Sequence, residues 1–463
     1  MSVVMCAQTL QDRRLLPLVA GDADRVVAFD AGHRVPLATF VAHVHGVAAL
    51  LPDVPQALNL CEDRYRFLVA FCAVALRGQT TLLPPSRTRG AIDDVRARHP
   101  DSYCIGDRDH CGCDAMPGVV PTPPHYLRLP DVLPLREGAP PALDADALVA
   151  IGFTSGSTGT PSANPKTWGS FHASTRQNLD ALADLFGAGT TPVVATVPPQ
   201  HMYGLEMSIL LPLLGDVSVH GGRPFFAEDI ASALRDAPGP ALLVTTPVHL
   251  RALVESGVAL PPLAGIATAT APLPQALAAS AEARFGCEVR ELFGSTETCI
   301  LARRRTATDT AWTPFAGVRL QPVPDGTLVG APHLPAPVML ADLVELDADG
   351  RFVLRGRQAD MIEIAGKRAS LADLTRRLLA IDGVRDGVIC QCETPGRTGV
   401  RRIVSAVVAD PALDDATLLD ALRAGIDPVF LPRRIRRVDA LPRNETGKLT
   451  RAALDALFGV EPT

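Results

Sequence analysis

Only three of the chain's 44 basic residues are lysines, Lys166, Lys367 and Lys448, and each lies in a segment whose neighbours can do chemistry. A chain that places nearly all its positive charge on arginine keeps lysine where a compact ammonium on a slim stem does what a planar guanidinium cannot. For Lys367 alone, chance placement explains the residue equally well. Lys166 closes the segment FTSGSTGTPSANPK, where Thr154, Ser155, Gly156, Ser157, Thr158 and Gly159 set hydroxyls and glycine amides in quick succession. Such a loop can wrap phosphate oxygens with backbone N–H groups in a concave nest. It is not the Walker form, because G-x-x-x-x-G-K-[ST] is absent. Ser/Gly-rich loops are often plain linkers, but this one follows an apolar, strand-like run, ALVAIGF. Lys448 sits in a turn, RNETGKLTR.

These groups need elements to hold them. At 463 residues the chain exceeds one ordinary core, so two or three domains are expected. The first ~145 residues alternate short apolar runs with helical patterns, as in RYRFLVAFCAVALRG followed by TTLLPP, which predicts strand–helix units. A proline-rich stretch, Pro117 to Pro141, reads as an extended surface connection. From Pro192 to Glu297 the runs VVATVPP, ALLVTTP, AGIATATAP and VRELFGSTE alternate with helices. Strands ending in small or polar residues before each helix predict an open parallel sheet with ligands at its strand C-termini. The segment VELDADGRFVLRG reads as a hairpin turning at Asp-Gly. A boundary is expected near Gly356, with a compact set of helix, strand, strand and helix after it.

Bulk properties narrow the function. The chain is 47% hydrophobic and 20% charged, with a mean hydropathy of +0.17. A net charge of −6 gives no electrostatic case for nucleic acid or anionic membrane. The longest apolar run, Leu68 to Leu76, falls far short of the ~20 residues that span a bilayer. The N-terminal residues lack a basic start before an apolar stretch, so the expectation is a cytoplasmic protein. The ten cysteines have no framework spacing, in keeping with a reducing compartment. Cys104, His110, Cys111 and Cys113 cluster, but C-x-C beside a His lacks paired-knuckle spacing, and a loop of reduced thiols competes with zinc.

Four ordered segments, TSGSTGTP, ELFGSTET, LADL with GRQADMIEIAG, and RNETGKLTR, resemble the motifs of the adenylate-forming superfamily of acyl-CoA synthetases, adenylation domains and luciferases. The order holds from about residue 60 to the end. The resemblance implies an α/β fold: a large N-terminal domain (1–356) of layered, mostly parallel sheets with helices, and a small mobile α+β lid (357–463) carrying the catalytic lysine. It also implies ATP, Mg²⁺ and a thiol acceptor, either CoA or a carrier protein's phosphopantetheine. By that likeness Lys448 bridges the acid's carboxylate and the α-phosphate, Thr296 donates to the α-phosphate, and Glu297 holds the metal. Phe293 stands where the family stacks a tyrosine on adenine, beside Gly294, and Asp342 and Arg357 hold the ribose. Gly366 lets the acceptor's arm approach the backbone, and Lys367 beside it either meets the acceptor's phosphate or is simply solvated.

The chain departs from the pattern in several places. Ser162-Ala-Asn-Pro intervenes before Lys166, so its expected contact with the β/γ-phosphates depends on a reshaped loop. Ala359 replaces the acidic hinge residue, with Asp360 kept. Ala269-Thr270 replaces a glycine pair near the adenine and acyl pocket, and the segment before Asp342 is shortened.

The segment PPQHMYGLEM falls where the family lines its acid pocket. Amino-acid activators carry an aspartate where Met202 stands, and salicylate activators carry His-Asn-Tyr where this chain has His201-Met202-Tyr203. The expected substrate is therefore an aryl acid without a 2-hydroxyl, such as a hydroxybenzoate or coumarate, with His201, Tyr203, Gly294 and Ala269 around it. A fatty-acyl tunnel beside Tyr203 is the alternative. A narrower likeness, to stand-alone ligases of aryl-polyene pigment clusters, points to a separate acyl carrier protein as partner, with the enzyme a monomer or homodimer. A non-catalytic adenylate-binding protein would share the fold, but retention of Lys448 and Glu297 favours an enzyme.

Overall fold

The computed structural model describes residues 14–108, 125–154, 162–357, 360–364, 367–391, 402–423, 425–444, 447, 449 and 451–458. Their architecture is mixed α/β, with mostly parallel sheets and flanking helices. Two compact units emerge. The first takes in 1–244, 258–265 and 294–300; the second takes in 245–257, 266–293 and 301–463.

In the first unit a six-stranded sheet runs in the order Ser162–Thr167, Leu148–Thr154, Thr80–Leu83, Gln56–Asn59, Ser102–Gly106, Tyr126–Arg128. Every pairing is parallel except the first. Ser162–Thr167, which by sequence belongs to the loop that Lys166 closes, is an antiparallel edge strand. SANPKT has no apolar alternation to betray a strand, and Pro165 is tolerated because an edge strand can do without its N–H. The strand's alternation turns Lys166 inward, to 4% exposure.

A second group of strands in this unit centres on Thr191–Ala195, parallel to both Val217–His220 and Ala241–Thr245. Its residues are buried on both faces, which explains the unbroken apolar run. Helix Arg64–Leu76 is likewise apolar nearly all round and buried. Asp63 caps it, accepting the Arg66 amide at 2.8 Å. Arg64 is fully buried and donates to the carbonyls of Ala195 (2.8 Å) and Val197 (2.9 Å) and to Ser208 Oγ. Burial, with Arg223 nearby, brings its pKa down to about 9. The guanidinium thus fixes the point where strand Thr191–Ala195 gives way to the segment Pro198–Tyr203.

In the second unit Ile266, Ala267 and Thr268 pair in parallel with Val289, Arg290 and Glu291. The hairpin expected at Asp-Gly is present as Asp342–Leu346 against Phe352–Arg357, with Gly350 at φ +78° in the turn. Farther on, Val384–Gln391, Ile403–Ala409 and Arg434–Arg437 form a three-stranded sheet. Helices Leu371–Leu379 and Asp415–Arg423 bury Leu374, Leu378, Leu418 and Leu422 against its Ile389 and Val407. No described helix is long and apolar enough to cross a membrane.

Candidate active site

The motif ELFGSTET forms the end of strand Val289–Ser295 and a tight turn into Cys299–Arg304. Gly294 is required there, because a Cβ would lie 2.2 Å from the Cys299 carbonyl oxygen and 2.7 Å from Ile300 Cα. Ser295 Oγ accepts the Thr298 amide at 3.2 Å, and Cys299 takes a left-handed φ of 59°. Two buried side chains hold this turn. Lys166 Nζ donates to the Glu297 carbonyl oxygen at 2.7 Å. On the far side, the Ile300 amide donates to Glu206 at 3.1 Å.

Glu206 was not singled out in the sequence. It is fully buried, and it accepts from Ser174 Oγ (2.6 Å) and Asn178 Nδ2 (3.1 Å) as well. Desolvation raises its pKa, against the pull of these hydrogen bonds and of Lys166. A signal existed: Ser174 and Asn178 are four apart, hence on one face of helix Trp168–Leu182, and Glu206 is the lone acid in an apolar stretch. It begins a π-helical turn, Glu206–Leu210, a geometry that often marks functional sites.

Thr296 faces a narrow pocket of ≈ 20 Å³ that it shares with Leu83, Pro84, Gly152, Phe153, Gln200, His201 and Met202. His201 precedes the short helix Met202–Leu205, and Met202 and Tyr203 are buried. Gly204 lets that helix close on the preceding loop, since a Cβ would meet the Pro198 carbonyl oxygen at 2.0 Å. Thr154, at the end of strand Leu148–Thr154, bonds to Ser162 Oγ at 2.6 Å. The loop residues Ser155, Gly156, Ser157, Thr158 and Gly159 lie outside the described residues.

In the second unit the half-buried ring of Phe293 meets Trp312 (5.5 Å between centroids) and Phe352 (5.7 Å). Glu291 is buried in an ion pair with Arg304 and also accepts from Thr306 Oγ1 at 2.6 Å. Asp342 stands directly opposite Arg357 across the hairpin. Ala269 is buried, and Thr270 occupies a left-handed φ of 82°, where glycine is the unstrained residue. Lys367 pairs with Asp427 at 2.6 Å on the surface. Lys448, Gly366 and Ala359 lie outside the described residues. Arg443 donates to the carbonyl oxygen of Gly447, the residue before Lys448 in sequence, at 2.8 Å while pairing with Asp386.

Two other clusters carry metal-ligand residue types. Burial pushes the Cys104 thiol up to about 11; its neighbours in the sequence cluster, His110, Cys111 and Cys113, lie outside the described residues. His220 lies 3.3 Å from both Asp30 and Asp236. Its Nδ1 accepts the Gly222 amide at 3.1 Å, so Nε2 carries the proton and offers a metal no lone pair. Glu297 differs: its half-buried carboxylate makes no hydrogen bond or ion pair among the described residues, and a hard oxygen donor of this kind suits Mg²⁺.

The family model described as AMP-binding enzyme matches residues 64–356. A curated 4-coumarate–CoA ligase of Rhodobacter capsulatus is 32% identical over 316 residues, 66% of this chain and 76% of that protein. Among solved structures, an ATP-bound RpMatB–BxBclM chimera superposes with a TM-score of 0.78 at 18% identity, over 95% of this chain and 97% of its own. The o-succinylbenzoate CoA synthetase of Bacillus subtilis, in complex with its acyl-adenylate, gives 0.74 at 17% identity over 93% and 95%. The fold is therefore shared along nearly the whole chain.

Proposed function

The chain belongs to the AMP-binding enzyme family, and from that premise we propose that it activates an aryl acid of the hydroxybenzoate or cinnamate type as its acyl-adenylate and passes the acyl group to a thiol. ATP-dependent activation of a carboxylic acid and its ligation to CoA is the chemistry of its relatives. The acid's identity, and a carrier protein's phosphopantetheine in place of CoA, are our reading. The observation that carries it is that Thr296, His201 and Met202 line one small space: a hydroxyl suited to an α-phosphate lies next to the segment expected to meet the acid, and that lining offers an amino acid's ammonium no carboxylate.

In the first step a carboxylate oxygen attacks the α-phosphorus of ATP, the bond to pyrophosphate breaks, and the acyl-adenylate forms. Two anions approach each other, so positioning and electrostatic stabilisation supply most of the rate. Lys448 is assigned to both anions, Thr296 to the α-phosphate, Phe293 to the adenine face, and Asp342 with Arg357 to the ribose. Thr154 and Ser155–Gly159 are assigned to the phosphates. Mg²⁺ bound at Glu297 would neutralise phosphate charge. In the second step the acceptor's thiolate attacks the acyl carbon, AMP leaves, and a thioester remains. We assign residues 357–463 to a lid domain that brings Lys448 for the first step, and Gly366 with Lys367 to the acceptor's arm.

Lys166 is reassigned in this reading. With its ammonium buried on the Glu297 carbonyl, it positions Thr296 and Glu297 rather than reaching the phosphates. Pyrophosphate release across benzoates, cinnamates and fatty acids, with Lys448→Ala as control, tests the proposal. Turnover of hydroxylated aryl acids, lost in the variant, supports it. Turnover of fatty acids alone overturns the aryl assignment and keeps the ligase. ATP binding with no turnover of any acid overturns the enzyme.

A further inference from the structure

Arg443 engages every nitrogen of its guanidinium. Nε and Nη2 donate to the two carboxylate oxygens of Asp386 at 3.0 and 2.8 Å, and Nη1 donates to the Gly447 carbonyl oxygen at 2.8 Å. Such a fork on a carboxylate fixes direction as well as distance. The two side chains are only 18% and 24% exposed, unlike the open surface ion pairs that contribute little. Asp386 is itself held on strand Val384–Gln391, opposite Val408, so the fork is anchored in the sheet.

The backbone of Arg443 is tied down too. It forms an antiparallel bridge to Leu449, which packs against Ala406, Val408 and Leu441. Between them the Gly447 amide closes a turn on the Asn444 carbonyl at 2.8 Å, and Gly447 takes a left-handed φ of +76° that glycine adopts without strain. One arginine therefore holds the residue before Lys448 with its side chain and the residue after it with its backbone. A lysine's ammonium rides on a flexible four-carbon stem, so fixing the chain on both sides narrows where that charge can reach.

We propose that Arg443, oriented by Asp386, is a positioning residue for Lys448 in the acid-activating step. This rests on the assignment of Lys448 above and deepens it. The guanidinium is committed to Asp386 and Gly447, so it acts through Lys448 and not on the phosphates.

The test is a cycle of variants read by pyrophosphate release, in steady state and in single turnover with excess enzyme, using the acid the wild type turns over fastest. Arg443→Met should lower kcat by about 10–100-fold and leave the KM values for ATP and acid unchanged. Arg443→Lys should lose nearly as much, because an ammonium cannot grip the carboxylate and the carbonyl in the same geometry; it also serves if Arg443→Met does not fold, which thermal unfolding reports. Asp386→Asn should show a smaller loss of the same kind. In a Lys448→Ala background, Arg443→Met should cost nothing further. Full activity in Arg443→Met overturns the proposal. So does rescue by Arg443→Lys with a change confined to the KM for ATP, which would put the charge on the phosphates. An equal loss with and without Lys448 overturns it as well, since Arg443 would then brace the fold generally. Wild-type pyrophosphate release in Lys448→Ala overturns the assignment of Lys448 itself, so the two failures are distinct.

Discussion

Lys166 and Glu297 lie 131 residues apart and are joined by a 2.7 Å hydrogen bond from the lysine ammonium to the backbone carbonyl. The bond links the edge strand Ser162–Thr167 to the turn that carries Thr296. Lys166→Met keeps the stem and removes the donor, leaving the carbonyl unpaired and Glu206 without a compensating charge. A loss of about 1–3 kcal/mol in stability is expected by denaturant titration. Pyrophosphate release should fall by about 10–100-fold, by the same factor for every acid, because the reacting groups are displaced rather than the acid misread. A rise confined to the KM for ATP would instead place Lys166 on the phosphates.

Gly294→Ala should damage the same turn from within. Its Cβ would sit 2.2 Å from the Cys299 carbonyl oxygen, a backbone atom that cannot swing aside. The expected cost is about 2 kcal/mol or more, read as a lower unfolding midpoint with the slope unchanged.

Glu206 gives the fold a pH dependence of definite sign. In the unfolded chain it titrates near its ordinary value of 4.5, whereas burial holds the folded value higher. Between the two the folded state keeps a proton that the unfolded state has released. Its contribution is therefore full below the unfolded value and is lost as pH rises through the folded one. Glu206→Gln cannot titrate. Unfolding midpoints measured from about pH 4 to pH 8 should show this decline in the wild type and not in the variant.

Thr270 holds a left-handed φ of 82° that a β-branched residue resists. Thr270→Gly should raise stability by about 0.5–1 kcal/mol, the relieved strain less the extra entropy of glycine in the unfolded chain. A lower midpoint would mean that the threonine side chain's own contacts outweigh the strain.

The sequence by itself determined the family and the order of the elements. Four motifs in order, apolar runs of strand length such as VVATV and ALLVTT, and the Asp-Gly turn near Gly350 are local signals, written in neighbouring residues and readable without knowing what packs on them. Tertiary structure decided what became of the charges and amides among them. SANPKT carries no periodic pattern, so only pairing with Leu148–Thr154 made it a strand and turned Lys166 inward. Glu206 looked like one polar letter in an apolar stretch until the fold set Ser174, Asn178 and the Ile300 amide around it. The cost of a buried polar group depends on partners that lie far away in the chain, and sequence spacing does not record them.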